Sequence, residues 1–463
     1  MGWSLEEAHL AVPATQESQI NNLSRRVDMR TLVRELPEKV GEVVSVSGWL
    51  HKKRLMGGLN FITVRDRSGV VQALVEGKDE MEKLRGMQVG TVVTFEGMVV
   101  ADERAAGGVE LHDVRVRVMS PVTEEPVIEV DKPIPHKSEL LDTLFETRVL
   151  NVRNLQEQKI FRIRAAITQY LREFLVNNEF VEIDTPKLLG AATEGGAEVF
   201  QLDYFGKTAT LAQSPQFYKQ IMVGAFERVF EINHAYRAEP SATVRHVTEV
   251  TMLDIEMGFV DSHADVLRMI GDTVKYALGK TYETYGEELK SLNAPELKLT
   301  DDVPIFTVAE IHEMYTKATK TDTTKEKDLT PDEEKFISEH VRKALGSDLV
   351  FAAEFPMEAA KFYHKVDAEK GVVMWADLLY RGVEIATCPL RENNYEKMIE
   401  QMEKAGLDVK NPGYKYYLQA FKFGLPMHGG CGMGVDRVVQ KTIGLGNIKE
   451  AILFPRDIHR LTP

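Results

Sequence analysis

The chain has 463 residues, 43% hydrophobic and 28% charged, which is ordinary for a soluble globular protein and leaves room for two or three domains with sizeable cores. A formal net charge of −14 excludes a generic nucleic-acid binder, but it leaves room for a local basic patch on an acidic body. Two cysteines, Cys388 and Cys431, exclude a disulfide framework and form no zinc-ligand spacing, and no apolar run is long enough to span a membrane.

The stretch Met1-Gly2-Trp3-Ser4-Leu5-Glu6 lacks the basic and apolar regions of a signal peptide, and Glu6 stands where a myristoylation signal wants Ser or Thr. The expected location is the cytoplasm. Residues 1–27 read as a polar extension. From Arg30 to about Val118 the pattern is β. Val43 to Trp49 alternates, Asn60 to Gly69 is a strand into a turn, Val70 to Val75 is a strand, and Thr91–Val100 and Val109–Val118 add two more. Five short strands with Gly-rich turns predict a small barrel over residues 28–120, of OB or SH3-like type. His51-Lys52-Lys53-Arg54 is a basic patch within it, which alone reads as a solvated loop. Pro121, Pro126, Pro133 and Pro135 among acidic residues mark a linker over 121–150.

The remainder, 151–463, mixes strands and helices. Ile160, Ile163, Ile167, Tyr170, Leu171 and Phe174 recur at helical spacing, predicting a helix from about Asn154 to Asn178. Phe180-Val-Glu-Ile-Asp-Thr-Pro186 reads as a strand stopped by proline. Thr193-Glu194-Gly195-Gly196 is a loop with one carboxylate. In Gln213-Ser-Pro-Gln216-Phe-Tyr-Lys219-Gln220 a helical turn would set Gln216 and Lys219 on one face. Arg237 and Arg245 flank a turn, and Thr248 to Met257 alternates in part as a strand would. Fixed guanidiniums beside acidic groups suit a nucleoside triphosphate with its metal. Residues 301–347 read as charged, helical and peripheral. Asp377 to Thr387 carries oxygen-bearing side chains, Glu384 and Thr387 among them. The glycines of His428-Gly429-Gly-Cys-Gly-Met-Gly-Val-Asp-Arg437 would let backbone approach a nucleotide.

Taken in order, these segments resemble class II aminoacyl-tRNA synthetases, most closely the aspartyl branch of archaeal and eukaryotic type in subclass IIb. Phe180–Pro186 resembles motif 1, the run Arg237–Met257 motif 2, and His428–Arg437 motif 3. The ending Leu453-Phe-Pro-Arg-Asp457 with His459-Arg-Leu-Thr-Pro463 is similar to the same branch. The resemblance implies an all-β OB-fold anticodon-binding barrel joined to an α+β class II catalytic domain built on an antiparallel sheet. It implies that Glu194 contacts the substrate ammonium and that Lys219, Gln216 and Arg391 receive L-aspartate. Arg237 would hold the α-phosphate, Glu239 the adenine amino group, Arg245 and His246 the γ-phosphate side, and Arg437 would stack on adenine. Glu384 and Thr387 would hold Mg²⁺ with ATP. Phe61, Gln72 and Arg54 would read the tRNA anticodon, and motif 1 would build a homodimer with no membrane role.

The implied reaction is activation of aspartate and its transfer to tRNA(Asp), with tRNA(Asn) a further acceptor to test. An asparagine ligase, or an RNA-binding paralogue with an impaired amino-acid site, are the alternatives. A lysine at 219 argues against asparagine, since a carboxamide needs no cation and a buried unpaired lysine is costly. The chain departs from the branch at Cys388-Pro389-Leu390, where two glycines and a glutamine are usual, and at Cys431, which replaces a bulkier aromatic. Both thiols are expected to be buried.

Overall fold

The computed structural model describes residues 30–56, 59–136, 138–190, 199–241 and 243–463. Its contacts divide the chain into two units. One comprises residues 1–140 with 149–155; the other comprises 141–148 with 156–463. The stretch read as a linker therefore contributes residues to both.

The first unit holds a closed barrel of β1 (Val43–Met56), β2 (Leu59–Arg65), β3 (Val70–Leu74), β4 (Val92–Ala101) and β5 (Val109–Ser120), in the order β1-β2-β3-β5-β4. Its pairs are antiparallel except β3 with β5. Alternate residues fill it: Val46, Leu50, Ile62, Val64, Ala73, Val93, Phe95 and Leu111 are fully buried. Glycine is required at Gly48, where a Cβ would lie 2.2 Å from the Arg65 carbonyl oxygen. Two features differ from the all-β reading. A 3₁₀ segment runs Val33–Lys39, and a helix α1 (Lys78–Arg85) packs Met81 and Leu84 into the barrel core. The basic patch differs too: residues 51–54 belong to β1, not to a loop.

After residues 141–148, the second unit continues along α2 (Leu155–Asn177), which lies within one residue of its expected ends. Motif 1 contributes only the short strand β6 (Val181–Glu182), and a small sheet follows from β7 (Leu188–Leu189), β8 (Gln201–Tyr204) and β9 (Lys207–Leu211). The main elements after it are α3 (Gln216–Phe226), β10 (Arg228–Tyr236), β11 (Glu249–Gly258), α4 (His263–Thr284), β12 (Ile305–Thr307), α5 (Val308–Thr319), α6 (Pro331–Ala344), β13 (Leu349–Pro356), β14 (Val366–Asp367), β15 (Val372–Tyr380), β16 (Glu384–Pro389), α7 (Tyr395–Lys404), α8 (Lys415–Lys422), β17 (His428–Gly434) and α9 (Val435–Ile443). Among the described residues one sheet runs β12-β13-β15-β16-β17-β11-β10-β6, with β14 beside β15. It is antiparallel through its centre, as expected, but mixed: β12–β13 and β10–β6 are parallel edge pairs.

Strand alternation gives this sheet two distinct faces. Leu253, Ile255, Met257, Leu378, Ala386, Cys388, Cys431 and Met433 join one core with the buried stripe of α2 and with Val266, Ile270 and Val274 of α4. The opposite face carries Asp254, Thr387 and Pro389 and lines a cavity. Residues 301–347 are not peripheral. Ile311, Ile337 and Val341 of α5 and α6 pack on Val350, Ala352 and Leu379, so this segment lies against the sheet itself.

Candidate active site

At one end of the cavity, α3 presents Gln216 and Lys219 on one turn, as their spacing predicted. Lys219 is 1% exposed, and its Nζ donates to Asp254 Oδ1 and to the Cys431 carbonyl, both at 2.9 Å. Glu256 Oε2 lies 3.6 Å from the same ammonium. Arg391, 2% exposed, grips Glu256 with two parallel bonds, Nε to Oε1 at 3.0 Å and Nη2 to Oε2 at 3.1 Å. The guanidinium also lies over the Tyr363 ring, 5.3 Å from its centroid. Two cations and two carboxylates thus meet at the cavity floor. Burial alone would push the Glu256 carboxyl up, but Arg391, then Lys219 and His428, hold it below the ordinary range.

A polar chain fixes Gln216. Its Nε2 donates to Gln220 Oε1 at 2.8 Å, and Tyr417 donates to the same oxygen at 3.0 Å. Gln220 Nε2 in turn faces His428 Nε2 at 2.9 Å. His428 Nδ1 meets the Pro426 carbonyl at 2.8 Å, so Nδ1 carries the proton and Nε2 accepts. Burial pulls the pKa of that ring down. His364 also lines this end, and burial together with Arg391 and Lys361 pushes its pKa well down.

At the other end the connection between β10 and β11 supplies Arg237, Glu239, Arg245 and His246. Glu239 lies 3.7 Å from Arg237 Nη1 and 3.7 Å from His246 Nε2. Arg245 Nη1 donates to Glu334 Oε2 at 3.2 Å. Arg437, at the start of α9, donates from Nη1 to the Glu384 carbonyl at 2.8 Å and to Glu384 Oε2 at 3.3 Å. The Thr387 hydroxyl donates to Glu384 Oε1 at 3.0 Å. Asp377 is paired in register with Thr387 and accepts from Trp375 Nε1 at 2.7 Å. Burial, then Glu384, drives the Asp377 carboxyl well up, and burial raises Asp328 and Glu334 as well. Glu384, Thr387 and Asp377 are hard oxygen donors of the kind Mg²⁺ takes. Among the described residues no set of three or more His, Cys, Asp or Glu side chains stands in metal-holding geometry.

The cavity therefore gathers Gln216, Lys219, Arg237, Glu239, Arg245, His246, Glu384, Thr387, Arg391 and Arg437. Glu194 lies outside the described residues. Sequence reasoning gave no role to Asp254, Glu256, Asp377 or Glu334. The i, i+2 spacing of Asp254 and Glu256 on one strand was the available signal, since it puts both carboxylates on one face. Glu334 had none, because its contact with Arg245 spans 89 residues.

In the barrel, Arg54 pairs in register with Phe61, and Gln72 with Thr63. Their core-facing neighbours are Ile62, Val71 and Ala73, so Phe61 and Gln72 point outward and are partly exposed; Phe61 is not a core residue. Gln72 Nε2 donates to Glu110 Oε2 at 3.1 Å, and Glu110 Oε1 meets His112 Nε2 at 2.6 Å. Cys388 and Cys431 are both buried and free, on the sheet face away from the cavity.

Residues 141–458 match the family of class II tRNA synthetases (D, K and N), and residues 44–118 match the OB-fold nucleic acid binding domain. The chain is 37% identical over 435 residues to an aspartate–tRNA(Asp/Asn) ligase of Thermus thermophilus, covering 94% of this chain and 100% of that one. It is 36% identical over 440 residues to an aspartate–tRNA(Asp) ligase of Pyrococcus horikoshii, covering 93% and 98%. The crystal structure of asparaginyl-tRNA synthetase from Pyrococcus horikoshii complexed with asparaginyl-adenylate superposes with a TM-score of 0.86 at 30% identity, covering 94% and 99%.

Proposed function

Because the chain belongs to the class II tRNA synthetases of the D, K and N group, we propose that it ligates L-aspartate to tRNA(Asp), and to tRNA(Asn) where the barrel admits it. The observation that carries the choice of amino acid is the side-by-side burial of Lys219 and Arg391 on the cavity floor. Two buried cations within reach of one bound side chain suit a carboxylate, and the fork of Arg391 suits it bidentately.

The aspartate α-carboxylate attacks the α-phosphorus of ATP, forming aspartyl-adenylate and releasing pyrophosphate. The 3′-OH of the terminal tRNA adenosine then attacks the mixed anhydride and AMP leaves. The protein's part is positioning and charge neutralisation. Arg237 takes the α-phosphate and substrate carboxylate, Arg245 and His246 the γ-phosphate side, Glu239 the adenine amino group, and Arg437 the adenine face. Glu384 and Thr387, with Asp377 beside Thr387, would hold Mg²⁺, which would supply neutralising charge to the phosphates. Glu194 and Gln216 orient the amino acid. Arg54, Phe61 and Gln72 form the anticodon surface, with Phe61 as the stacking platform.

A homodimer is part of this reading. Val181 is exposed on the edge strand β6, and Tyr204 and Phe205 are exposed on the β8–β9 hairpin of the small sheet, apolar surface that a second copy would cover. No described helix is long and apolar enough to cross a membrane. The expected location remains the cytoplasm.

The asparagine reading draws on one observation. Asp254 and Glu256 already balance Lys219 and Arg391, so the floor carries no excess positive charge. ATP–pyrophosphate exchange with aspartate, with asparagine and with no amino acid separates the two. Exchange with aspartate alone supports the proposal; exchange with asparagine overturns it.

A further inference from the structure

Arg245, expected at the terminal phosphates, is held by a residue outside both motifs and outside the cavity lining. Glu334 Oε2 accepts from Arg245 Nη1 at 3.2 Å. Glu334 belongs to the first turn of α6, in the segment of residues 301–347. That turn is anchored at three points. Thr330 caps it in a box with Glu333, Pro331 stands at its first position, and Glu333 is itself bonded to His312 Nδ1 at 2.7 Å and to Thr323. The helix behind it is seated on the sheet through Ile337 and Val341. Glu334 is therefore a fixed carboxylate, whereas Arg245 is a long side chain on an irregular connection.

A carboxylate this close to a polyphosphate site opposes nucleotide binding unless a cation stands between the two. Arg245 is that cation, and Arg437 also acts on the Glu334 charge. One nitrogen of the guanidinium is committed to Glu334 while the residue still lines the cavity. We propose that Glu334 is a positioning residue that holds Arg245 for the terminal phosphates of ATP, making the segment 301–347 a working part of the nucleotide site. This rests on the function proposed above.

The test is binding of Mg·ATP and of AMP, by calorimetry on the full chain, to wild type, Glu334→Gln, Arg245→Ala and the double variant. AMP lacks the phosphates that Arg245 would meet. Glu334→Gln is expected to weaken ATP roughly 3- to 10-fold, the cost of re-ordering one long side chain, and to leave AMP unchanged. Arg245→Ala should weaken ATP further, and adding Glu334→Gln to it should change nothing more. Glu334→Asp keeps the charge one methylene back and should fall between wild type and Glu334→Gln, which keeps the inference testable should the Gln variant not fold. Equal loss of AMP, or additive losses in the double variant, would overturn it. A wild type that binds neither nucleotide would instead strike the parent function, and this inference with it.

Discussion

Arg437 and Glu384 hold one another, Nη1 donating to both the backbone carbonyl and Oε2 of Glu384. The residue proposed over the adenine and the residue proposed on the metal are joined before either ligand arrives. Glu384 would offer its carboxylate to Mg²⁺ while its backbone carbonyl still holds Arg437. Replacing Arg437 by Ala removes the stacking plane and this anchor. The ATP KM in aspartate-dependent exchange should rise by about 10-fold or more. Arg437→Lys should not restore it, because an ammonium cannot stack as a planar guanidinium does. Recovery of wild-type ATP KM in the Lys variant would remove the stacking role.

Lys219 carries two predictions that separate function from stability. Its ammonium sits between Asp254 and Glu256 in a buried site. Lys219→Met should abolish aspartate activation. The geometry adds a cost: Asp254 loses its ammonium partner in a dry setting, a loss of about 3–5 kcal/mol. Urea unfolding of the variant measures that cost. Aspartate-dependent exchange at the wild-type rate in a folded Lys219→Met protein would sink the assignment.

Glu256 gives a pH dependence with a definite sign. Its folded carboxyl is held below the ordinary value of 4.5 because Arg391, Lys219 and His428 outweigh burial. A carboxyl depressed on folding contributes stability above its unfolded pKa, and loses it as pH falls through the folded value. Glu256→Gln keeps the shape and removes the charge. The stability gap between wild type and this variant should be widest near neutral pH and should narrow as pH falls below about 4.5. A gap constant from pH 6 to pH 3 would mean that the Arg391 pair contributes nothing through its charge.

Much of this was legible in the sequence, for reasons that can be named. The helix from Leu155 to Asn177 announced itself through a seam of isoleucines and leucines, and the barrel strands through alternation. Gln216 and Lys219 fell on one helical face because three residues make most of a turn. The charge balance of the pocket was not legible. Lys219 meets Asp254 across 35 residues and Arg391 meets Glu256 across 135, so each pairing exists only once the strand order is known. The same holds for the segment of residues 301–347. Its charged sequence resembles a solvated helix pair, and only the packing of Ile311, Ile337 and Val341 reveals which face is turned to the sheet.

Phe61 tests the barrel separately from the catalytic unit. Its ring points away from the barrel core while its neighbours Ile62 and Val64 fill that core. Phe61→Ala should lower kcat/KM for tRNA charging by about 10- to 100-fold, the value of one stacked base. Aspartate-dependent pyrophosphate exchange should not change, since that half-reaction uses no tRNA. A fall in exchange would show that the substitution damages more than the anticodon surface.

The unusual Cys388-Pro389-Leu390 divides between the two faces of the sheet, and so should its effects. Cys388 and Leu390 are buried in the core with α4, and His263 Nε2 lies 2.7 Å from the Cys388 carbonyl. Pro389 lines the cavity between Thr387 and Arg391. Restoring a glutamine by Leu390→Gln would set an amide among Val266 and its apolar neighbours. Stability should fall by about 1–3 kcal/mol, with the aspartate KM little changed. Pro389→Gly should do the reverse. It removes a ring from the cavity wall beside Arg391, so the aspartate KM shifts, while stability falls by about 1 kcal/mol through the freer unfolded chain. Paired measurements of urea unfolding and exchange kinetics on both variants decide the matter. A KM change in Leu390→Gln, with none in Pro389→Gly, would mean that the segment acts on the site through the core instead of through the cavity wall.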